Sequence, residues 1–128
     1  MKTTAVRGKY KPTNTKRYLG KRNPTYRSLW ERKFMLWCDR SDSVIHWDSE
    51  NFEIPYYDAE KEKWRTYYPD FYVAYYDKDG NSVEKIVEIK PYYQKRWKIN
   101  RAKWQAAENF CAERGISFQV LTEKEIKP

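Results

Sequence analysis

Three carboxylates and one lysine have the types and spacing to do chemistry. Pro69-Asp70 stands 18 positions before Glu88, which opens Glu88-Ile89-Lys90, and Glu31 lies upstream of both. Residues 71–76 and 85–90 are rich in β-formers, and Asp77-Lys78-Asp79-Gly80-Asn81 between them is a strong turn signal. A hairpin is the simplest connection. Side chains alternate along a strand, so Glu88 and Lys90 project to one side and Val87 and Ile89 to the other. The hairpin then brings Asp70, at the start of its strand, beside Glu88 at one end of a sheet. Two carboxylates meeting there repel unless something positive lies between them. Mg²⁺ suits oxygen donors, keeps several waters and binds phosphate. Lys90 stands alongside, able to orient or deprotonate a water and to offset phosphate charge. Phosphodiester hydrolysis needs a hydroxide-like nucleophile and stabilisation of added negative charge, and a metal ion supplies both.

Each residue also has a plain reading. Asp70 after Pro69 suits a turn, and Glu88 with Lys90 suits a surface pair on an amphipathic strand. Glu31 could pair with Arg27 or Lys33 for only ~0.3–0.5 kcal/mol. A carboxylate on a central strand, however, needs a partner. His46 is the only histidine, which leaves no His–Cys metal site and no Ser-His-Asp relay; it reads as structural. The six tryptophans read mostly as core or surface-anchoring residues, with base stacking by Trp97, Tyr92 or Tyr93 a weaker alternative.

These residues need elements to hold them. Tyr26, Trp30, Phe34, Trp37 and Cys38 recur at helical spacing, predicting a helix over 25–39 with Thr25 as N-cap and Glu31 at the edge of the apolar face. Strands are expected near 44–47, 52–56, 64–68, 71–76 and 85–90. A long helix follows over 94–114, ended by Gly115, and then a strand over 116–121. The strand–helix–strand ending implies a right-handed crossover and a parallel neighbour. The class is α/β (α+β): one mixed sheet flanked by two helices.

The 128 residues argue for one domain. The formal net charge is +8, and it is uneven. Residues 1–27 hold nine basic residues, including Lys9, Lys11, Lys16, Arg17, Lys21, Arg22 and Arg27, and no acid, leaving 17 basic against 18 acidic residues beyond. Residues 1–24 therefore read as a flexible basic arm on a near-neutral domain spanning 25–128. Such an arm favours a polyanion. A second basic run, Lys95, Arg96, Lys98, Arg101 and Lys103, falls on the second helix; alone, it reads as a solvated face. No stretch reaches the ~20 apolar residues of a membrane span, and no secretory signal is expected. Cys38 and Cys111 read as buried free thiols in a reducing compartment.

The set Pro69-Asp70, Glu88-Ile89-Lys90 and Glu31 resembles the PD-(D/E)xK nuclease superfamily. The local phrases narrow this: Tyr26-Arg27-Ser28-Leu29-Trp30-Glu31-Arg32-Lys33-Phe34, Ile54-Pro55-Tyr56, Tyr67-Tyr68-Pro69-Asp70-Phe71-Tyr72 and Val87-Glu88-Ile89-Lys90-Pro91. They are similar to the subgroup shared by the amino-terminal domain of the TnsA transposon endonuclease and the head-completion nucleases of T-even-type bacteriophages. The small size, the basic arm and the ending Gly115-Ile116-Ser117-Phe118 before Leu121-Thr122-Glu123 look most like the phage group. The resemblance implies a restriction-endonuclease-like mixed sheet and a Mg²⁺-dependent deoxyribonuclease, with Mn²⁺ as a substitute ion. It further implies Asp70 and Glu88 as metal ligands, Lys90 as the water-activating lysine and Glu31 as an auxiliary ligand. The implied partners are double-stranded DNA, held by the arm and the 95–103 run, and portal or neck proteins of a phage head. The implied setting is the host cytoplasm during virion assembly, or the virion itself. The alternative is a structural head protein that binds DNA and portal through a vestigial nuclease fold. A sequence-specific restriction or transposase-partner enzyme is disfavoured, because no target-reading domain is evident.

Overall fold

The computed structural model describes residues 7–126, with the side chains of Arg96 and Ile99 outside the description. In chain order the elements are β1 (Gly8–Lys9), β2 (Thr25–Tyr26), α1 (Leu29–Arg40), β3 (Val44–Ser49), β4 (Ile54–Asp58), β5 (Lys63–Tyr67), β6 (Phe71–Tyr76), β7 (Ser82–Ile89), a 3₁₀ turn (Tyr92–Arg96), α2 (Lys98–Arg114) and β8 (Ser117–Leu121).

The main sheet has the order β3-β6-β7-β8. β6 pairs antiparallel with β3 and β7, and β8 runs parallel to β7 after the α2 crossover. The expected mixed sheet and its parallel edge are both present. Alternation sorts the two faces. Phe71, Val73, Val87 and Ile89 pack with Val44 and Trp47 against Phe34, Met35 and Cys38 of α1. On the opposite side Phe118 and Val120 pack beneath Trp104 and Ala107 of α2. Glu88 is the register partner of Val120, which places it on the α2 side. The class is α/β (α+β), with helices on both faces of one mixed sheet.

Three expectations change. β4 and β5 do not join the main sheet but form a separate two-stranded hairpin. Its inward residues Ile54, Tyr56 and Tyr67 pack on Trp104 and Ala107, so α2 and not a sheet edge supplies their cover. The first helix begins later than 25. Ser28 is the N-cap, its Oγ accepting the Glu31 amide at 3.1 Å, while Thr25–Tyr26 is extended and pairs with Gly8–Lys9. α2 likewise starts at Lys98, behind the 3₁₀ turn.

The third change concerns the basic arm. From Gly8 onward it is fastened to the domain. Tyr10 is buried in the α1 core, and its hydroxyl donates to Asp39 Oδ2 at 2.7 Å. Thr13 donates to the same oxygen through its amide (2.9 Å) and hydroxyl (2.8 Å), and the Asn14 amide donates to Oδ1 (2.9 Å). Further on, the Leu19 amide donates to Trp47 O and the Trp47 amide to Arg17 O, both at 2.9 Å, covering the free edge of β3. The Tyr18 ring rests 4.6 Å from that of the fully buried Trp47. The lysines of this segment and Arg22 face water, while Tyr10 and Tyr18 face the core. Both cysteines are buried free thiols. Among the described residues no helix is long and apolar enough to cross a membrane.

Candidate active site

Register places the two principal carboxylates. Phe71 is opposite Val87, so Asp70, one residue before β6, faces Glu88. Each carboxylate takes an amide from the other strand. Ile89 N–H donates to Asp70 Oδ2 at 2.8 Å, and Asp70 N–H donates to Glu88 Oε1 at 3.2 Å. The Asp70 carbonyl in turn accepts the Glu50 amide at 3.0 Å, fixing this corner to the end of β3. Lys90, just past β7, sets its Nζ 3.7 Å from Glu88 Oε2. Asp70, Glu88 and Lys90 are thus brought together at one end of the sheet.

Glu31 comes from the other side, on the first turn of α1. Its Oε1 accepts the Arg27 amide, one residue before the N-cap, at 3.0 Å while Ser28 Oγ accepts the Glu31 amide, and the two bonds brace the helix N-terminus. This capping duty was missed in sequence; Ser28 followed three residues later by Glu31 was its signal. Glu31 still belongs to the same electrostatic neighbourhood, because its charge acts on Asp70 and the Glu88 charge acts on it.

Burial makes these carboxyls unusual. Asp70 is pushed well above the ordinary aspartate range by burial, then by the charges of Glu88 and Glu31. Glu88 is raised by burial, with Lys90 pulling the other way. Glu31 is raised by burial, opposed by the Arg27 amide and charge and reinforced by Glu50 and Glu88. Buried like charges on this scale mark a functional site more often than a structural one.

Tyr67 and Trp104 complete the floor. Tyr67 Oη and Trp104 Nε1 are buried, and the Tyr67 hydroxyl lies close enough to Glu88 to help hold down the pKa of that carboxyl. Burial raises the Tyr67 phenol, and the nearby Glu88 charge raises it further. The donor set is all oxygen, which fits a hard divalent cation. Among the described residues no three His, Cys, Asp or Glu side chains are gathered tightly enough to enclose one ion. The fit is therefore to an open, two-carboxylate site that leaves positions for water and phosphate.

The basic residues divide. Lys9, Lys11, Lys16, Lys21 and Arg22 are exposed. Arg17 is engaged at the end of α1, donating to the Asp39 and Ser41 carbonyls, with Asp42 3.6 Å away. Arg27 is paired with Glu50. Lys95 lies over the Tyr92 ring, and Lys98 and Arg101 are exposed. The Arg96 side chain lies outside the described residues. Lys103 is not on the solvated face at all: it is half-buried, in the electrostatic reach of Glu88, Asp70 and Lys90. His46 is exposed, away from this chemistry.

Comparison with known proteins agrees with this geometry. Residues 41–123 match the family described as TnsA-like endonuclease N terminal, a span that holds Asp70, Glu88 and Lys90. The chain is also 33% identical over 142 residues to the head completion nuclease of Enterobacteria phage T4, covering 93% of this chain and 92% of that protein. With a sheet that sets two carboxylates and a lysine at one end, and a match over most of its length, this chain belongs to the TnsA-like N-terminal endonuclease family.

Proposed function

We propose that this chain is a metal-dependent deoxyribonuclease that hydrolyses phosphodiesters at Asp70, Glu88 and Lys90. The observation that supports it most is the register that sets Asp70 opposite Glu88, each accepting the other strand's amide, with Lys90 against Glu88. Asp70 and Glu88 are the residues to hold Mg²⁺, or Mn²⁺ in its place, with Glu31 assisting through water from α1. Such an ion, when bound, activates a water and offsets charge building on the phosphate. The strand amides fix both carboxylates, so their oxygens need no rearrangement when substrate arrives. Lys90 orients the attacking water and faces the incoming phosphate. The water oxygen bonds to phosphorus, the P–O3′ bond breaks with its electron pair on O3′, and O3′ takes up a proton as the water gives one away.

The biological setting we propose is phage head completion, with ends of packaged DNA as substrate in the host cytoplasm during virion assembly. Portal or neck proteins are the proposed assembly partners. The test is nicking of plasmid and degradation of linear DNA with Mg²⁺, with EDTA, and with Asp70→Asn and Lys90→Ala proteins. Wild type should cut only with metal, and both variants should lose at least about 10²-fold in rate while still retaining DNA. DNA retention without cutting in Mg²⁺ or Mn²⁺ would replace this reading with a structural head protein.

A further inference from the structure

A second lysine faces the site, from α2. Asn100, Trp104, Ala107 and Cys111 form the buried stripe of α2, and Lys103 borders that stripe, not the outer face. Its Nζ lies 5.7 Å from the ring centroid of Tyr67, the residue whose hydroxyl stands beside Glu88. Among the described residues Lys103 has no carboxylate within 4.0 Å. The charges that act on it are Glu88 and Asp70 on one side and Lys90 and Arg65 on the other.

A plain account makes Lys103 a snorkelling side chain with its stem on an aromatic ring, worth ~0.5–1 kcal/mol. That account leaves the gathering of cations unexplained. Glu88 offsets Lys90 and Asp58 offsets Arg65, whose Nη1 is 3.1 Å from Asp58 Oδ2. Lys103 remains half-buried and without a contacting anion, drawn by the Glu88 and Asp70 charges and opposed by those of Lys90 and Arg65. Burial and the Lys90 charge both work against its ammonium, lowering its pKa. An anion delivered between Lys90 and Lys103 would relieve that repulsion, and a DNA phosphate is such an anion.

We propose that Lys103 is a catalytic residue that contacts the scissile phosphate, holding its ammonium on a non-bridging oxygen while the P–O3′ bond breaks. It transfers no proton. This inference rests on the nuclease reading above, and it assigns Lys103 to the reacting phosphate and not to the general backbone-binding surface.

The test is single-turnover cleavage at saturating linear DNA with Mg²⁺, beside DNA affinity measured in EDTA. Lys103→Met keeps the apolar stem on Tyr67 and removes the charge. It should slow the saturated rate about 10²-fold, with the melting temperature and affinity nearly unchanged. Lys103→Arg should recover most of the rate. A loss confined to affinity, or a Met protein as fast as wild type, overturns the proposal. A contact readout independent of cutting is the ¹³Cε signal of Lys103, assigned by its disappearance in Lys103→Met. Adding a 5′-phosphorylated dithymidine dinucleotide should shift it, and an unmoved signal overturns the proposal. A wild-type protein that never cuts, yet shows this shift, would sink the nuclease reading and leave the phosphate contact standing.

Discussion

At the scale of single residues, the site is built against stability. Glu88 is buried and Asp70 half-buried beside it, each accepting one amide across the hairpin, and only Glu88 has a cation in contact. Burial and mutual repulsion disfavour the charged forms, so in metal-free protein at neutral pH Asp70 is a destabilising group. Asp70→Asn keeps an oxygen for the Ile89 amide and removes the charge. It should stabilise the protein by on the order of 1 kcal/mol, a rise of a few degrees in melting temperature in EDTA. Lys90→Ala should do the reverse, because it strips Glu88 of its counter-charge. Calorimetry of both variants in EDTA checks the pair, and a lowered melting point for Asp70→Asn would count against the electrostatic account. The carboxylates and Lys90 were legible in sequence because a hairpin and a two-residue strand period are local rules. Lys103 was not: it closes a run of basic residues, and run composition hides which side of a helix each member takes. Its spacing from Trp104, Ala107 and Cys111 was the usable signal.

Among elements, most strands and both helices followed from alternation and helical period, since each buries one face against a neighbour. The errors share one cause: contacts between segments distant in sequence. Thr25–Tyr26 looked helical from its apolar spacing but is claimed by Gly8–Lys9 as a strand partner. The basic segment lacks any period, yet Tyr10 and the four hydrogen bonds onto Asp39 fix it. Burial alone would raise the Asp39 carboxyl, but the bonds from Thr13, Tyr10 and Asn14 outweigh it and hold the group below its ordinary range. The charged form is thus favoured in the folded state. Its stabilisation is present above the ordinary carboxylate range and is lost as pH falls through the lowered folded value. Asp39→Asn should cost on the order of 2 kcal/mol at neutral pH, and less in acid. Denaturant melts at pH 7 and pH 3 check the sign. Deleting residues 1–24 should cost more. It removes Tyr10 from the core and uncovers the ring of Trp47, a loss of about 3 kcal/mol or greater. Such a truncation tests folding, and cannot by itself report what the basic residues do for DNA.

On the scale of the whole molecule, the question is where a chain of net charge +8 places its unpaired cations. Arg17 and Arg27 have structural partners, and Lys103 is turned inward. Of the basic residues in the two runs, Lys9, Lys11, Lys16, Lys21 and Arg22 are exposed on a segment that is held in place, and Lys95, Lys98 and Arg101 are exposed near the start of α2. The loop carrying Lys21 and Arg22 lines a cavity of about 530 Å³ with Lys9, Glu50 and Asn51. Glu50 is the same residue whose amide donates to Asp70 O, so this cationic rim adjoins the corner that carries Asp70. A held rim meets phosphates with less ordering cost than a free tail, and each phosphate it neutralises releases counterions. DNA affinity should therefore fall steeply with salt, with a logarithmic slope of about −0.9 per contact. Neutralising Lys9, Lys21 and Arg22 with glutamine keeps Tyr10 and Asp39 joined. Each substitution should flatten the slope by about one and weaken all duplex sequences alike, because phosphate contacts read no sequence. The saturated cleavage rate should stay put, because none of the three is among the leading charges that act on Asp70 or Glu88. Fluorescence anisotropy of a labelled duplex across a NaCl series makes the measurement. A slope indifferent to all three changes would move the DNA path to the α2 side, past Lys95, Lys98 and Arg101.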